Sequence, residues 1–143
     1  MNFIHYSNSE DETERIAKEL SSDLTEGGVV LLNGNLGSGK TVFVRGLVAG
    51  VGGNPQQVTS PTFTIIHEYT GNLSIKHIDL YRVHTNQVED LGLEELISSN
   101  NLVVIEWADR LPRAFEDSIT VYLKDAGENK REIQINNKTS NSV

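Results

Sequence analysis

Gly34, Gly39, Lys40 and Thr41 are the residues of this chain whose types and spacing point most directly to chemistry. They fill every fixed position of G-x-x-x-x-G-K-[ST], the phosphate-binding loop. Such a loop turns backbone N–H groups inward around an oxyanion, and it needs glycine where a Cβ would block the approach. Asn35, Leu36, Gly37 and Ser38 supply the rest of the cradle. A helix starting at its end aims the positive pole of its dipole at the same place. Lys40 then reaches the outer phosphates and the Thr41 hydroxyl ligates Mg²⁺. A plain glycine-rich turn would explain the glycines. It would not explain Lys-Thr at that spacing, between the apolar run Val29-Val30-Leu31-Leu32 and a helical pattern.

A phosphate loop works with a second acid, at the carboxyl end of a neighbouring strand, that holds Mg²⁺ or its water. Two stretches compete for that role. Glu106 follows Leu102-Val103-Val104-Ile105, and a merely solvated carboxylate sits awkwardly beside Trp107. Asp79 lies in His77-Ile78-Asp79-Leu80-Tyr81-Arg82, where a strand-end cap or a salt bridge to Arg82 is the plainer explanation. The residues alone favour Glu106 for the metal and leave Asp79 to orient the attacking water or the metal's water shell. Thr59-Ser60-Pro61-Thr62 reads equally as a phosphate-sensing switch and as a simple turn, Ser-Pro being a common turn starter. His67, His77 and His84 lack helical metal spacing and read as structural or surface residues. Trp107 reads as a core anchor that lies near the nucleotide.

The elements that must position these groups follow from periodicity. Phe3, Ile4 and Tyr6 suggest a short edge strand. Ser9-Glu10-Asp11-Glu12 is a capping box, and Ile16, Ala17, Leu20 and Leu24 predict a helix to about Leu24, ended by Gly27-Gly28. Residues 29–33 do not alternate, as in a strand buried on both faces of a parallel sheet. Phe43, Val44, Leu47, Val48 and Val51 predict the helix after the loop. Two strands, Phe63 to Tyr69 and Leu73 to Leu80, are joined by the two-residue hairpin signal Gly71-Asn72. Gln87 to Ser99 reads as a helix despite Gly92, and Leu102 to Ile105 as a second buried strand. Ile119, Val121 and Leu123, then Ile133 and Ile135, form a hairpin around the polar loop Asp125 to Lys130. The expected fold is α/β, of the phosphate-loop NTPase type: a central mixed, mostly parallel β-sheet with flanking helices and antiparallel marginal strands. It is expected to form one domain over residues 1–143, with a frayed tail at 138–143.

Composition narrows the function. Twenty acidic residues against twelve basic ones give a net charge of −8, the opposite of what direct nucleic-acid binding needs. With no cysteine, disulfides, thiolate metal sites and a cysteine nucleophile are excluded. No apolar run approaches 18 residues and no secretory signal is visible, so a cytoplasmic location without membrane contact is expected.

The chain resembles the TsaE family, small bacterial phosphate-loop ATPases needed for the threonylcarbamoyl modification of tRNA adenosine. The resemblance rests on Gly34 to Thr41, Ser60-Pro61-Thr62-Phe63, His77 to Arg82, Leu91-Gly92 and Ile105-Glu106-Trp107, in that order. The family more often has Asp where this chain has Asn35 and Ala where it has Ser38, both at variable loop positions. The resemblance implies an ATPase with ATP and Mg²⁺, the metal held by Thr41 and Glu106; the lack of a residue with a clear arginine-finger context near them adds the expectation that the chain alone is slow. It implies that Asp79 and Lys40 serve turnover, that Ser60 to Phe63 with Thr62 is the switch loop, and that Arg131 contacts the nucleotide from the C-terminal hairpin. It implies two partners, the TsaD and TsaB proteins, with tRNA touched by the partner and not by this chain.

Other classes share the loop. A small-molecule kinase usually closes an arginine-rich lid over the phosphates, whereas Arg15, Arg45, Arg82, Arg110, Arg113 and Arg131 are scattered. A GTPase needs Asn-Lys-x-Asp, and Asn137-Lys138-Thr139-Ser140 lacks the Asp. A scaffold that binds ATP without hydrolysing it differs only in partner assays.

Overall fold

The computed structural model describes residues 2–35, 37–58, 65–81, 83–97, 100–111, 115 and 117–137. Leu36, the expected switch loop Ser60 to Phe63 with Thr62, Arg82 and the tail at 138–143 lie outside these residues. In chain order the elements are β1 (Asn2–Ser7), α1 (Glu10–Ser22), β2 (Gly28–Gly34), α2 (Lys40–Gly50), β3 (Ile66–Thr70), β4 (Ser74–Asp79), α3 (Leu93–Leu96), β5 (Asn101–Glu106), β6 (Ser118–Gly127) and β7 (Lys130–Asn137). Short 3₁₀ segments occupy Pro55–Gln57, Thr85–Leu91 and Ala108–Arg110.

A strand that is apolar on both faces needs cover on both sides, and β2 has it. It sits in the middle of a sheet that, among the described residues, has seven strands in the order β1-β7-β6-β2-β5-β4-β3. β2 runs parallel to β5 and β6, and β4 runs parallel to β5. The margins are antiparallel, β3 on β4 at one edge and β6, β7 and β1 at the other. The expected α/β sheet is therefore present, with four parallel strands in its centre and hairpins outside them.

Side chains alternate across a sheet, which sorts the central strands into two layers. Val30, Leu32, Leu102 and Val104 pack beneath α1 and α2, against Ala17, Phe43, Val44 and Leu47. Val29, Leu31, Val103, Ile105 and Ile78 face the other way, under Val83, Val88 and Leu93 and the partly buried Leu91 and Leu96. The first cover is tightly fitted: a Cβ on Gly46 of α2 would run into the Glu14 carbonyl and the Ala17 Cβ of α1. Ser9 caps α1 as the sequence predicts, its hydroxyl accepting from the Glu12 N–H at 3.1 Å, while the Glu12 carboxylate accepts from Asn8 N–H at 3.3 Å.

Three expectations are corrected. The helix read over Gln87–Ser99 is instead the 3₁₀ segment Thr85–Leu91 followed by the single turn α3. Gly92 separates them with φ 67°, a left-handed conformation that stops helical hydrogen bonding from running through. The β3–β4 turn has three residues, because Thr70 pairs with Ser74, Leu73 is drawn into the core and Asn72 N–H donates to the Val51 carbonyl at 2.7 Å. The polar stretch Asp125 to Lys130 is mostly strand; only Glu128-Asn129 turns, with Asn129 at φ 58°.

Candidate functional site

Parallel strands bring their carboxyl ends to one rim, and β2, β4 and β5 deliver the loop and both candidate acids there. Asp79 and Glu106 are register partners on adjacent strands. Both lie on the face that carries α2, Asp79 in line with His77 and Ile75, Glu106 in line with Val104 and Leu102. With Gly37, Gly39, Lys40, Thr41, Trp107 and Arg131 they line one cleft of about 380 Å³. Tyr81, Glu10 and Val42 complete its wall, none of which the sequence marks as a candidate site residue.

The loop leaves β2 at Gly34, where a Cβ would strike the Ser38 hydroxyl. Asn35 turns the chain, its carbonyl accepting from Ser38 N–H at 3.1 Å. Gly39 is the N-cap of α2 at φ 100°, a conformation that side-chain-bearing residues rarely adopt, and Phe43 N–H donates back to its carbonyl at 3.0 Å. Lys40 is only 8% exposed. Its ammonium donates to the Gly34 carbonyl and, at 3.3 Å, to that of Asn35, and it lies 4.1 Å from the centre of the Trp107 ring. Burial pushes the Lys40 pKa below the ordinary lysine value, opposed by the charges of Glu106, Asp79 and Asp109.

Trp107 takes φ 58° directly after the strand, which turns its ring over Lys40 and against Tyr81, 4.9 Å between ring centres. Trp107 therefore stands beside the phosphate loop. Asp79 is half-buried, and its carboxylate accepts from Tyr81 N–H at 3.0 Å.

Glu106 is 8% exposed and bonded to His77, which is itself buried. His77 Nε2 meets the Glu106 carboxylate, and His77 Nδ1 lies 3.2 Å from the Tyr69 hydroxyl. Burial, then the Glu106 charge, pushes the Tyr69 pKa up, so the phenol keeps its proton and can donate it to Nδ1. Nε2–H is then free to donate to Glu106, leaving the second carboxylate oxygen for the cleft. The sequence reading did not connect His77 to the site. The available signal was the period-two face shared by Ile75, His77 and Asp79.

Arg131 arrives from the far margin of the sheet. Its Nε donates to the Ser38 carbonyl at 2.9 Å and its Nη2 to the Gly37 carbonyl at 3.2 Å. Nη1 is held by the Lys130 carbonyl at 2.8 Å and the Asp125 carboxylate at 3.4 Å.

Fold and site together define an α/β protein in which a strand, a glycine-rich loop and a helix face two strand-end carboxylates. The model of the TsaE family, "Threonylcarbamoyl adenosine biosynthesis protein TsaE", matches residues 7–133. The chain is 38% identical to the tRNA threonylcarbamoyladenosine biosynthesis protein TsaE of Rickettsia felis over 138 residues, 94% of this chain and 80% of that protein. It is 40% identical to that of Bacillus subtilis over 86% of this chain and 78% of the relative, and 37% identical to that of Treponema pallidum over 90% and 96%. The crystal structure of Bacillus subtilis YdiB superposes with a TM-score of 0.73 at 32% identity, covering 94% of this chain and 84% of that one. The chain belongs to the TsaE family. No described helix is long and apolar enough to cross a membrane.

Proposed function

We propose that this protein binds and hydrolyses Mg-ATP in the biosynthesis of threonylcarbamoyladenosine in tRNA, acting on a complex of the TsaD and TsaB proteins. The observation that carries the reading is the convergence of the Gly34–Thr41 loop, Glu106 and Asp79 on one cleft rim, in a member of the TsaE family. The donors suit the metal. Mg²⁺ takes oxygen ligands and is held by one or two protein oxygens plus substrate phosphates and water, which fits the Thr41 hydroxyl and the Glu106 carboxylate. When bound, it neutralises charge on the phosphate oxygens.

The chain's own residues divide the remaining work. The loop amides and Lys40 bind the phosphates, and Lys40 must leave the Gly34 and Asn35 carbonyls to do so. Trp107 shields Lys40 from water on its open side. Asp79 accepts a hydrogen bond from the attacking water and orients it. Thr62 belongs to the loop that responds to the outer phosphate.

Charge builds on the transferring phosphoryl group, and fast hydrolysis needs further cations around it. Among the described residues, Arg45 is bonded to the Val58 carbonyl and Arg131 to the loop's own carbonyls. The isolated chain is therefore a slow ATPase that its partners complete. Steady-state hydrolysis of wild type and Thr62→Ala, alone and with purified TsaD and TsaB, tests this. Wild type should accelerate with the pair, by up to roughly 10³–10⁵ if a group is supplied in trans. Thr62→Ala should lose the acceleration more than it loses ATP affinity. Equal wild-type rates in both conditions would refute the partner-completed site.

A further inference from the structure

We infer that His77 and Tyr69 are positioning residues for the metal site: together they hold the Glu106 carboxylate in one orientation, with one oxygen left to the cleft and the group kept off Lys40. The inference rests on the reading of Glu106 as a Mg²⁺ ligand. The three side chains form a line across three strands on the helix-covered face. Tyr69 is the diagonal neighbour of His77 across β3 and β4, and His77 is that of Glu106 across β4 and β5. Diagonal neighbours lie within reach of long and aromatic side chains, and here both steps are hydrogen bonds. All three residues are buried. The cleft is lined by Glu106 but, among the described residues, by neither His77 nor Tyr69. Both therefore act on the cleft through Glu106.

The bonds alone would suit any buried polar cluster, each group satisfying the next. What points to a role is where the line ends and which way its protons run. In a neutral imidazole one nitrogen donates and the other accepts, and the bond made by one decides the proton on the other. The Tyr69 phenol donates to Nδ1, which leaves the ring proton on Nε2, facing Glu106. His67, opposite His77 on β3, packs its ring 6.0 Å from that of His77 and limits its rotation. A fixed carboxylate matters because Lys40 shares the rim. Of the three carboxylates whose charge acts on Lys40, Glu106 acts most strongly. A Glu106 side chain free to swing would pair with that ammonium and withdraw both groups from a bound Mg-nucleotide. Outer hydrogen bonds of this kind are worth roughly 10–100-fold in metal affinity.

The wild-type ring can be read directly. In the nucleotide-free protein, two-bond ¹H–¹⁵N spectra should show His77 protonated at Nε2 and unprotonated at Nδ1, and Tyr69→Phe should relax that preference. A wild-type ring protonated at Nδ1 alone could not donate to Glu106 and would overturn the proposal. Calorimetry of ATP across a magnesium titration then reads the consequence in wild type, His77→Gln, His77→Leu, Tyr69→Phe and Glu106→Ala, with circular dichroism as the check on folding. His77→Leu should raise the Mg²⁺ concentration needed by roughly 10–100-fold, while ATP affinity in metal-free buffer changes by less. His77→Gln, whose amide N–H replaces the Nε2 donor, should recover most of that loss. Tyr69→Phe should lose less than His77→Leu. The positioning role is overturned if His77→Leu titrates like wild type, or if His77→Gln is no better than His77→Leu, the mark of a residue that only fills the core. If Glu106→Ala also titrates like wild type, the metal reading itself fails and this role with it. A shifted Glu106→Ala beside an unshifted His77→Leu removes the positioning role alone.

Discussion

The two faces of the central sheet are built differently. One is covered by α1 and α2, helices of 13 and 11 residues that touch backbone to backbone at Gly46. The other is covered by a 3₁₀ segment, a four-residue helix and loops. Among the described residues, Lys40, Thr41, Asp79 and Glu106, the groups proposed to act on phosphate, metal and water, belong to the helix-covered side. The difference teaches where precision is needed. A phosphate cradle tolerates little displacement, so its loop is continuous with the best-packed helix. The opposite face only has to keep water off β2 and β5.

The comparison breaks most visibly in the core. Leu47 on α2 and Leu93 on α3 are both buried leucines, so truncation removes the same atoms. Leu→Ala costs about 2–5 kcal/mol depending on how far the site collapses around the cavity. Leu47→Ala, in the core between the sheet and two helices that cannot approach each other further, should fall near the top of that range. Leu93→Ala, under a short turn that can settle inward, should fall near the bottom. Urea unfolding of the two variants measures this, and equal or reversed costs would show that both faces are equally rigid.

The second test contrasts the two acids on the rim. Asp79→Asn should retain nucleotide but slow hydrolysis by roughly 10²-fold or more, the range of a lost general base. Glu106→Ala should bind nucleotide with a weakened dependence on Mg²⁺. A magnesium titration with the opposite pattern would exchange their roles.

A smaller effect is expected at the helix start. Ser9→Ala removes the side-chain cap of α1 and should cost about 1 kcal/mol in thermal or denaturant unfolding. α3 has no side-chain cap to lose, since Gly92 precedes it. A Ser9→Ala cost near zero would mean that α1 is held by its packing alone.

These faces were not equally legible. The helix side announces itself locally, through Ser9 to Glu12, the spacing of Ile16 to Leu24 and the run from Phe43 to Val51. The opposite side misleads, because Val88, Leu91, Leu93, Leu96 and Ile97 imitate one helix while Gly92 at φ 67° divides it. The site shows the same split. The phosphate loop is eight consecutive residues, and the strand-end acids follow from two apolar patterns. The Glu106–His77 bond depends on the register of β4 against β5, and Arg131 meets Ser38 only because β7 folds back along β6. The period-two face of β4 sets His77 in line with Asp79, but the partner of each contact lies on a distant strand that no local pattern names.

The central claim is that the cleft on the helix face is a nucleotide phosphate site with Lys40 at its centre. Titration calorimetry of ATP, with Mg²⁺ present, into wild type and Lys40→Ala tests it most directly, with circular dichroism as the check on folding. The expected result is saturable binding by wild type and none, or far weaker binding, by a folded Lys40→Ala protein. Equal affinity of the two proteins for ATP would contradict the account.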